Sequence, residues 1–172
     1  MKRILKITRL FLHIIKAFYL YLRFFYTADP QNQPFSPTQQ KLIQQWFEKV
    51  LDIFNIKVEY SRTEEKNNSP YLIVANHISW LDIMVLGHLY PVRFLAKSDI
   101  SDWPIIGFLA KKSGTIFIHR GKITEMTKIS QQLKSILELK ENLLFFPEGK
   151  TGEGDKIMPL YSGLFQISID SK

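Results

Sequence analysis

Polar positions recur along the first 26 residues at Lys2, Lys6, Arg9, His13, Lys16 and Arg23, in steps of three, four or seven, with Ile, Leu, Phe and Tyr filling most of the rest. Those steps place the polar side chains on one stripe of a helix and leave a wide apolar face. Residues 27–35 are polar and contain two prolines, which reads as a linker. Ser36-Pro37-Thr38-Gln39 then forms a capping box with proline at the first helical position. Behind it Leu42, Ile43, Trp46, Phe47, Val50, Leu51 and Phe54 recur at helical spacing, and Asn55 suits a left-handed C-terminal cap. Lys57 to Tyr60 reads as a short edge strand, and Ser61 to Pro70 as a charged surface loop.

From Tyr71 onward short apolar runs alternate with helical patterns. Strands are expected at 71–75, 92–96, 115–118 and 143–146, and helices at 80–89, 104–111 and 124–139, the last preceded by Gly121 and capped by Thr124. Strands alternating with helices predict an α/β fold, a central and mostly parallel sheet flanked by helices. The expected organisation is an amphipathic helix over 1–26, a linker over 27–35 and one domain over 36–172, long enough to bury a core.

Charge changes the picture of the first segment. The net charge is +7, and residues 1–28 hold six basic and no acidic side chains, which leaves the remaining residues at +1. A nucleic-acid-binding domain spreads basic residues over its folded body, so this distribution argues against a nucleic-acid partner. A narrow basic stripe beside a broad apolar face fits a helix lying on an anionic membrane surface. The alternative is a helix docked on the protein's own core or on a partner subunit. A spanning segment needs about 18 apolar residues in a row, and the longest run here, Ala17 to Leu22, has six. The chain has no cysteine, which removes disulfides, thiolate metal sites and cysteine nucleophiles.

The candidate chemistry lies where expected strands end. After 71–75 comes Asn76-His77-Ile78-Ser79-Trp80-Leu81-Asp82, with four residues between His77 and Asp82. A carboxylate on one imidazole nitrogen would fix the tautomer and leave the other free to accept a proton. Alone, the same spacing is equally an Asn-His turn and an ordinary helix start with an acid near its positive end. Lys97 follows the strand at 92–96, and His119-Arg120-Gly121 ends that at 115–118. Arginine at a strand end suits a phosphate through its planar fork, or is a surface residue at a turn. Pro147-Glu148-Gly149-Lys150-Thr151-Gly152-Glu153-Gly154 ends the strand at 143–146. Three glycines there allow backbone amides to approach a ligand, and Glu148 could hold a substrate hydroxyl or be a plain loop carboxylate. Carboxyl ends of parallel strands share one edge, so His77, Lys97, Arg120 and Glu148 converge on one site for an anionic substrate whose own hydroxyl His77 deprotonates.

These blocks resemble the glycerolipid acyltransferases, the lysophosphatidic acid acyltransferase family. Asn76 to Asp82 looks like its first signature, Gly114-Thr115-Ile116-Phe117-Ile118-His119-Arg120 its second and Phe146-Pro147-Glu148-Gly149 its third, in matching order. The resemblance covers about residues 40–170. It implies the glycerol-phosphate acyltransferase-like α/β fold and transfer of an acyl group from acyl-CoA or acyl carrier protein to the free hydroxyl of a lysophospholipid. It implies His77 as general base, Asp82 as its orienting partner, and Arg120, Glu148 and Gly149 as binders of the glycerol-phosphate portion. No metal or bound cofactor is implied, and the expected location is the cytoplasmic face of an inner membrane. His119 and Lys150 depart from the family pattern, and the sequence ends before the family's fourth block, so the acyltransferase domain is expected to lack its C-terminal part. The stretches 78–83 and 151–154 also resemble lyso-ornithine-lipid acyltransferases. Two other classes compete: a non-catalytic lipid-binding remnant of the same fold, and a hydrolase or metal enzyme using His77, Asp82, His119 and Glu148.

Overall fold

A computed structural model of the chain describes residues 2–61, 70–118, 123–156, 158–160 and 165. They divide into two compact units, one made of Met1–Ala28, Phe35–Asn68 and Leu81–Pro91, the other of Asp29–Pro34, Ser69–Trp80 and Val92–Lys172.

The first unit is helical. Helix α1 spans Lys2–Leu20 and continues as a π-helical turn over Tyr21–Phe25. Helix α2 spans Pro37–Phe54, with the reciprocal Ser36–Gln39 capping box in place and Asn55 closing it at φ 59° and ψ 41°. Helix α3 spans Leu81–Leu89. Lys6 Nζ donates to Phe54 O at 3.3 Å, His13 Nε2 to Trp46 O at 3.0 Å, and Gln39 Nε2 to Phe24 O at 2.8 Å. One partner's number rises as the other's falls, so α1 and α2 run antiparallel. Lys6 thereby caps the negative end of α2. Phe47, Val50, Leu51 and Ile53 are the buried residues of α2. Gly87 of α3 meets the Phe47 ring so closely that a Cβ there would lie 2.4 Å from it.

Helix α1 packs in the reverse of the usual sense. Members of its polar stripe, Lys6 and His13, face α2 together with Ala17, while Ile4, Leu5, Ile7, Phe11, Leu12, Ile15, Tyr19 and Leu22 are exposed, Ile4 by 70%. The His13 ring stacks on the Trp46 indole with centroids 5.1 Å apart. Among the described residues no helix is long and apolar enough to cross a membrane.

The second unit is a parallel sheet of four strands, β1 Leu72–Val74, β2 Val92–Lys97, β3 Ile116–Ile118 and β4 Asn142–Phe145, in the order β1-β4-β2-β3. Leu143, Leu144 and Phe145 of β4 are almost fully buried, as a central parallel strand requires. Helix α5, Ile123–Glu138, brings Ile129, Leu133 and Ile136 onto Leu95, Ile116, Leu143 and Phe145. The expected parallel α/β architecture is therefore present. Residues 57–60 are not a strand: among the described residues they have no ladder partner, and they lie largely exposed after α2. Helix α5 spans Ile123–Glu138, which places Thr124 within it rather than ahead of it. Helix α4 covers Ile106–Lys112 and starts two residues later than the pattern suggests, because Ile105 takes a positive φ that no helix accommodates.

Arg93 and Glu141 form a buried ion pair where β2 and β4 begin, and Arg93 Nη2 also donates to Gln33 O at 2.9 Å. Two charges this deep are tolerated because each satisfies the other. Glu141→Ala should lower unfolding stability by about 3–5 kcal/mol in chemical denaturation, since it leaves the buried guanidinium without its carboxylate.

Burial holds the His13 imidazole below its ordinary value of 6.5; its bond to the Trp46 carbonyl opposes this, and the Lys16 and Lys49 charges add to it. Well above 6.5 the ring is neutral whether folded or unfolded and contributes no pH dependence. As the pH falls through 6.5 toward the folded value, the unfolded chain takes a proton that the folded one resists, and stability drops. Urea unfolding between about pH 7.5 and about pH 5.5 should show a larger loss for the wild type than for His13→Gln.

Candidate active site

Parallel pairing aligns Leu72, Ile73 and Val74 with Leu143, Leu144 and Phe145, so β1 and β4 end side by side. The turn that carries His77 follows β1, and the Phe146–Gly154 loop follows β4. Phe146 and Gly149 close a turn in which Gly149 N donates to Phe146 O at 3.0 Å, with Pro147 second and Gly149 last at φ 66°. Proline and glycine in those places are what such a turn favours, so Phe-Pro-Glu-Gly encodes its own bend.

The bend turns the Phe146 ring onto His77. The two rings stack with centroids 4.0 Å apart and an interplanar angle of 15°. From the other side of the loop, Gly152 N donates to His77 O at 2.8 Å. Thus both the ring plane and the backbone of His77 are held by the segment after β4. A Cβ on Gly152 would lie 3.2 Å from the Met158 methyl and 3.7 Å from Glu148 Oε2. Gly154, at φ 84°, leaves only van der Waals space beside Ile78. Glu148 is buried within this loop, while His77 is half-buried. An imidazole stacked on an aromatic face meets a favourable field if it becomes positively charged.

The sheet unit thus brings His77, Glu148 and Gly149 together. Lys97 does not follow β2 but is its last residue, opposite Ile118 at the end of β3. Asp82 is in the first turn of α3, in the helical unit. Arg120, with His119 and Gly121, lies outside the described residues. Two contributors were not apparent in the sequence. Phe146 was visible only as part of a motif, and its signal was an aromatic residue at the end of the strand neighbouring the histidine's. The glycines suggested amides reaching toward a ligand, whereas the amide of Gly152 reaches the His77 carbonyl. Among the described residues no three His, Asp or Glu side chains gather as a metal site would require.

This geometry has close relatives. Residues 55–172 match the family model described as Acyltransferase, so the chain belongs to the acyltransferase family. It is 35% identical over 122 residues to a 1-acyl-sn-glycerol-3-phosphate acyltransferase of Neisseria meningitidis, covering 71% of this chain and 48% of that one. It is 37% identical over 136 residues to a lyso-ornithine lipid O-acyltransferase of Pseudomonas aeruginosa, covering 79% of this chain and 52% of that one. The chain therefore spans about half the length of these relatives. The crystal structure of the 1-acyl-sn-glycerophosphate acyltransferase PlsC from Thermotoga maritima shares the fold, with a TM-score of 0.66 at 17% identity, covering 99% of this chain and 72% of that one.

The stacking has a spectroscopic signature. The ring protons of His77 lie in the shielding cone of Phe146, so replacing it with Leu should move those resonances downfield in a proton NMR spectrum. The exposed Phe24 supplies a control, since Phe24→Leu should leave them in place.

Proposed function

We propose that this protein is an O-acyltransferase moving a fatty acyl group from acyl-CoA or acyl carrier protein to the free hydroxyl of a lysophospholipid, most simply 1-acylglycerol-3-phosphate giving phosphatidate. The observation that carries the reading is His77 itself, half-buried at the carboxyl edge of the sheet and braced by Phe146 and Gly152. A base whose ring plane and backbone are both held in place suits a hydroxyl supplied by the substrate.

In this reading His77 takes the hydroxyl proton as the oxygen attacks the thioester carbonyl. The tetrahedral adduct then collapses by breaking the carbon–sulfur bond, and the imidazolium returns the proton to the departing thiolate. Asp82 is the orienting partner of His77. Arg120, Glu148 and Gly149 bind the glycerol-phosphate portion, and Lys97 adds a cation at the same sheet edge. Atoms and charge balance without a metal or a bound cofactor. A positioned base contributes typically about 10²–10⁴-fold, and holding both substrates in register supplies much of the rest.

The acceptor is a membrane lipid, and the exposed apolar face of α1 fits insertion into the headgroup region of an anionic bilayer, with the six basic residues of 1–28 giving electrostatic attraction. We assign the protein to such a surface, on the cytoplasmic face of an inner membrane.

A second acceptor is favoured by a specific observation, the lyso-ornithine lipid enzyme of 37% identity. Incubating the purified chain with each acceptor, and with acyl-CoA or acyl carrier protein as donor, separates the two. Product on one acceptor is expected, and product on neither overturns both assignments. His77→Ala should reduce turnover by at least about 10²-fold with an unchanged circular dichroism spectrum; wild-type turnover would remove His77 as the base.

A further inference from the structure

The segment Trp103-Pro104-Ile105-Ile106-Gly107 joins the 3-10 turn after β2, Ser98–Asp102, to α4, and its centre is strained. Ile105 has φ 65° and ψ −61°, and Ile106 N donates to Pro104 O at 2.6 Å. This is a γ-turn of the rare positive-φ kind, and a β-branched residue is the least suited to it. The surroundings over-determine it. Trp103 N donates to Ile100 O at 3.2 Å, Gly107 N to Trp103 O at 2.9 Å and Leu109 N to Ile105 O at 2.9 Å. A Cβ on Gly107 would lie 2.3 Å from Ser101 O, so only glycine lets α4 start this close to the preceding turn.

The strain gains no burial. Trp103, Ile105 and Ile106 are 54%, 46% and 54% exposed, and Asp102 and Pro104 between and beside them are exposed as well. Backbone strain maintained by specific contacts points to a use for the conformation, and here its result is three large apolar side chains held outward on a fixed frame. Because β2 runs parallel to β4 and β4 to β1, the segment leaves the sheet from the same edge as the turn bearing His77 and the loop bearing Glu148.

We propose that Trp103, Ile105 and Ile106 form a preorganised wedge that enters the acyl-chain region of a bilayer and holds the sheet unit at the lipid surface. The inference rests on the reading that the acceptor is a lipid in a membrane. Trp beside aliphatic residues is typical of membrane interfaces. Three side chains are far too few for a protein partner, which needs about 800 Å² per side. Asp99 and Asp102 accompany Lys97 in this stretch, so the local charge has no strong sign and adhesion depends on apolar burial. The wedge is in this respect the opposite of α1, whose attraction is partly electrostatic. A rigid wedge loses little conformational freedom on insertion.

The test is vesicle partition of the full chain. The double variant Trp103→Ser/Ile106→Ser should bind zwitterionic phosphatidylcholine vesicles at least tenfold more weakly than the wild type. The loss should be the same at low salt and at about 1 M salt, where screening acts within about 3 Å. Arg3→Gln/Arg9→Gln, at two exposed basic positions of α1, should instead lose affinity only for anionic vesicles at low salt. Ile105→Gly relieves the strain, so it should fold at least as stably as the wild type and still bind more weakly. Brominated acyl chains should quench tryptophan fluorescence in the wild type and much less in Trp103→Phe. Unchanged partition by the double variant and by Ile105→Gly would overturn the proposal. So would a loss of affinity for monomeric acyl-CoA with vesicle binding intact, which would make the patch a donor subsite. Binding needs no turnover, so an inactive chain whose partition depends on the wedge refutes the acyltransferase reading alone.

Discussion

Pairing of β4 in parallel between β1 and β2 is the constraint on which the site depends. The register that sets Val74 opposite Phe145 makes the two strands end together. Whatever follows them must then share one edge. His77 follows one and Phe146 the other, so a stacked pair forms between residues 69 positions apart in sequence. A slip of one residue would turn Phe145 and Phe146 to opposite faces and bury the wrong ring. The near-complete burial of Leu143, Leu144 and Phe145 penalises any such slip, so the core holds the catalytic candidate in register.

The loop after β4 serves two purposes that conflict in most loops. It is short of side-chain bulk at Gly149, Gly152 and Gly154, yet it is not loose. Its amides at Gly149 and Gly152 both have internal acceptors, Phe146 O and His77 O. Ligand-binding loops built from free amides must order themselves on binding, whereas this one is already ordered around the imidazole. Glu148, buried in the bend, is fixed by the same turn chemistry that directs Phe146.

Much of this was legible in the sequence for local reasons. The Ser36–Gln39 capping box, Asn55 and the helical spacing of Phe47, Val50 and Leu51 specify α2 from its own residues, and strand-helix alternation specified a parallel sheet. What was not legible depends on partners distant in sequence. Residues 57–60 alternate like a strand, but among the described residues no strand pairs with them. The start of α4 moves because Ile105 is forced by Gly107 and Ser101 into a conformation that helical propensity opposes. His77 was identified as the candidate base from its turn, but the residue that fixes its plane comes from another strand, and no spacing rule along the chain reaches that far. The polar stripe of α1 left open whether the helix lies on a membrane or docks on the protein's own core; Lys6 and His13 turn toward α2 because Phe54 O and Trp46 O offer acceptors there.

That reversal of α1 and the strain at Ile105 answer the same physical problem in different ways. Under the proposed membrane role, apolar surface must stay uncovered, which in a soluble domain invites aggregation. In α1 the exposed apolar face is flanked by basic charge, which repels other copies and attracts an anionic surface. At residues 103–106 there is little net charge to do this, and the apolar group is small, rigid and limited to three side chains. Charge would permit a wide flexible face, while rigidity permits a narrow neutral one. In the proposed role the first would set how often the protein meets anionic membranes; the second, being indifferent to headgroup charge, would set how firmly the edge bearing His77 stays at the surface once it arrives.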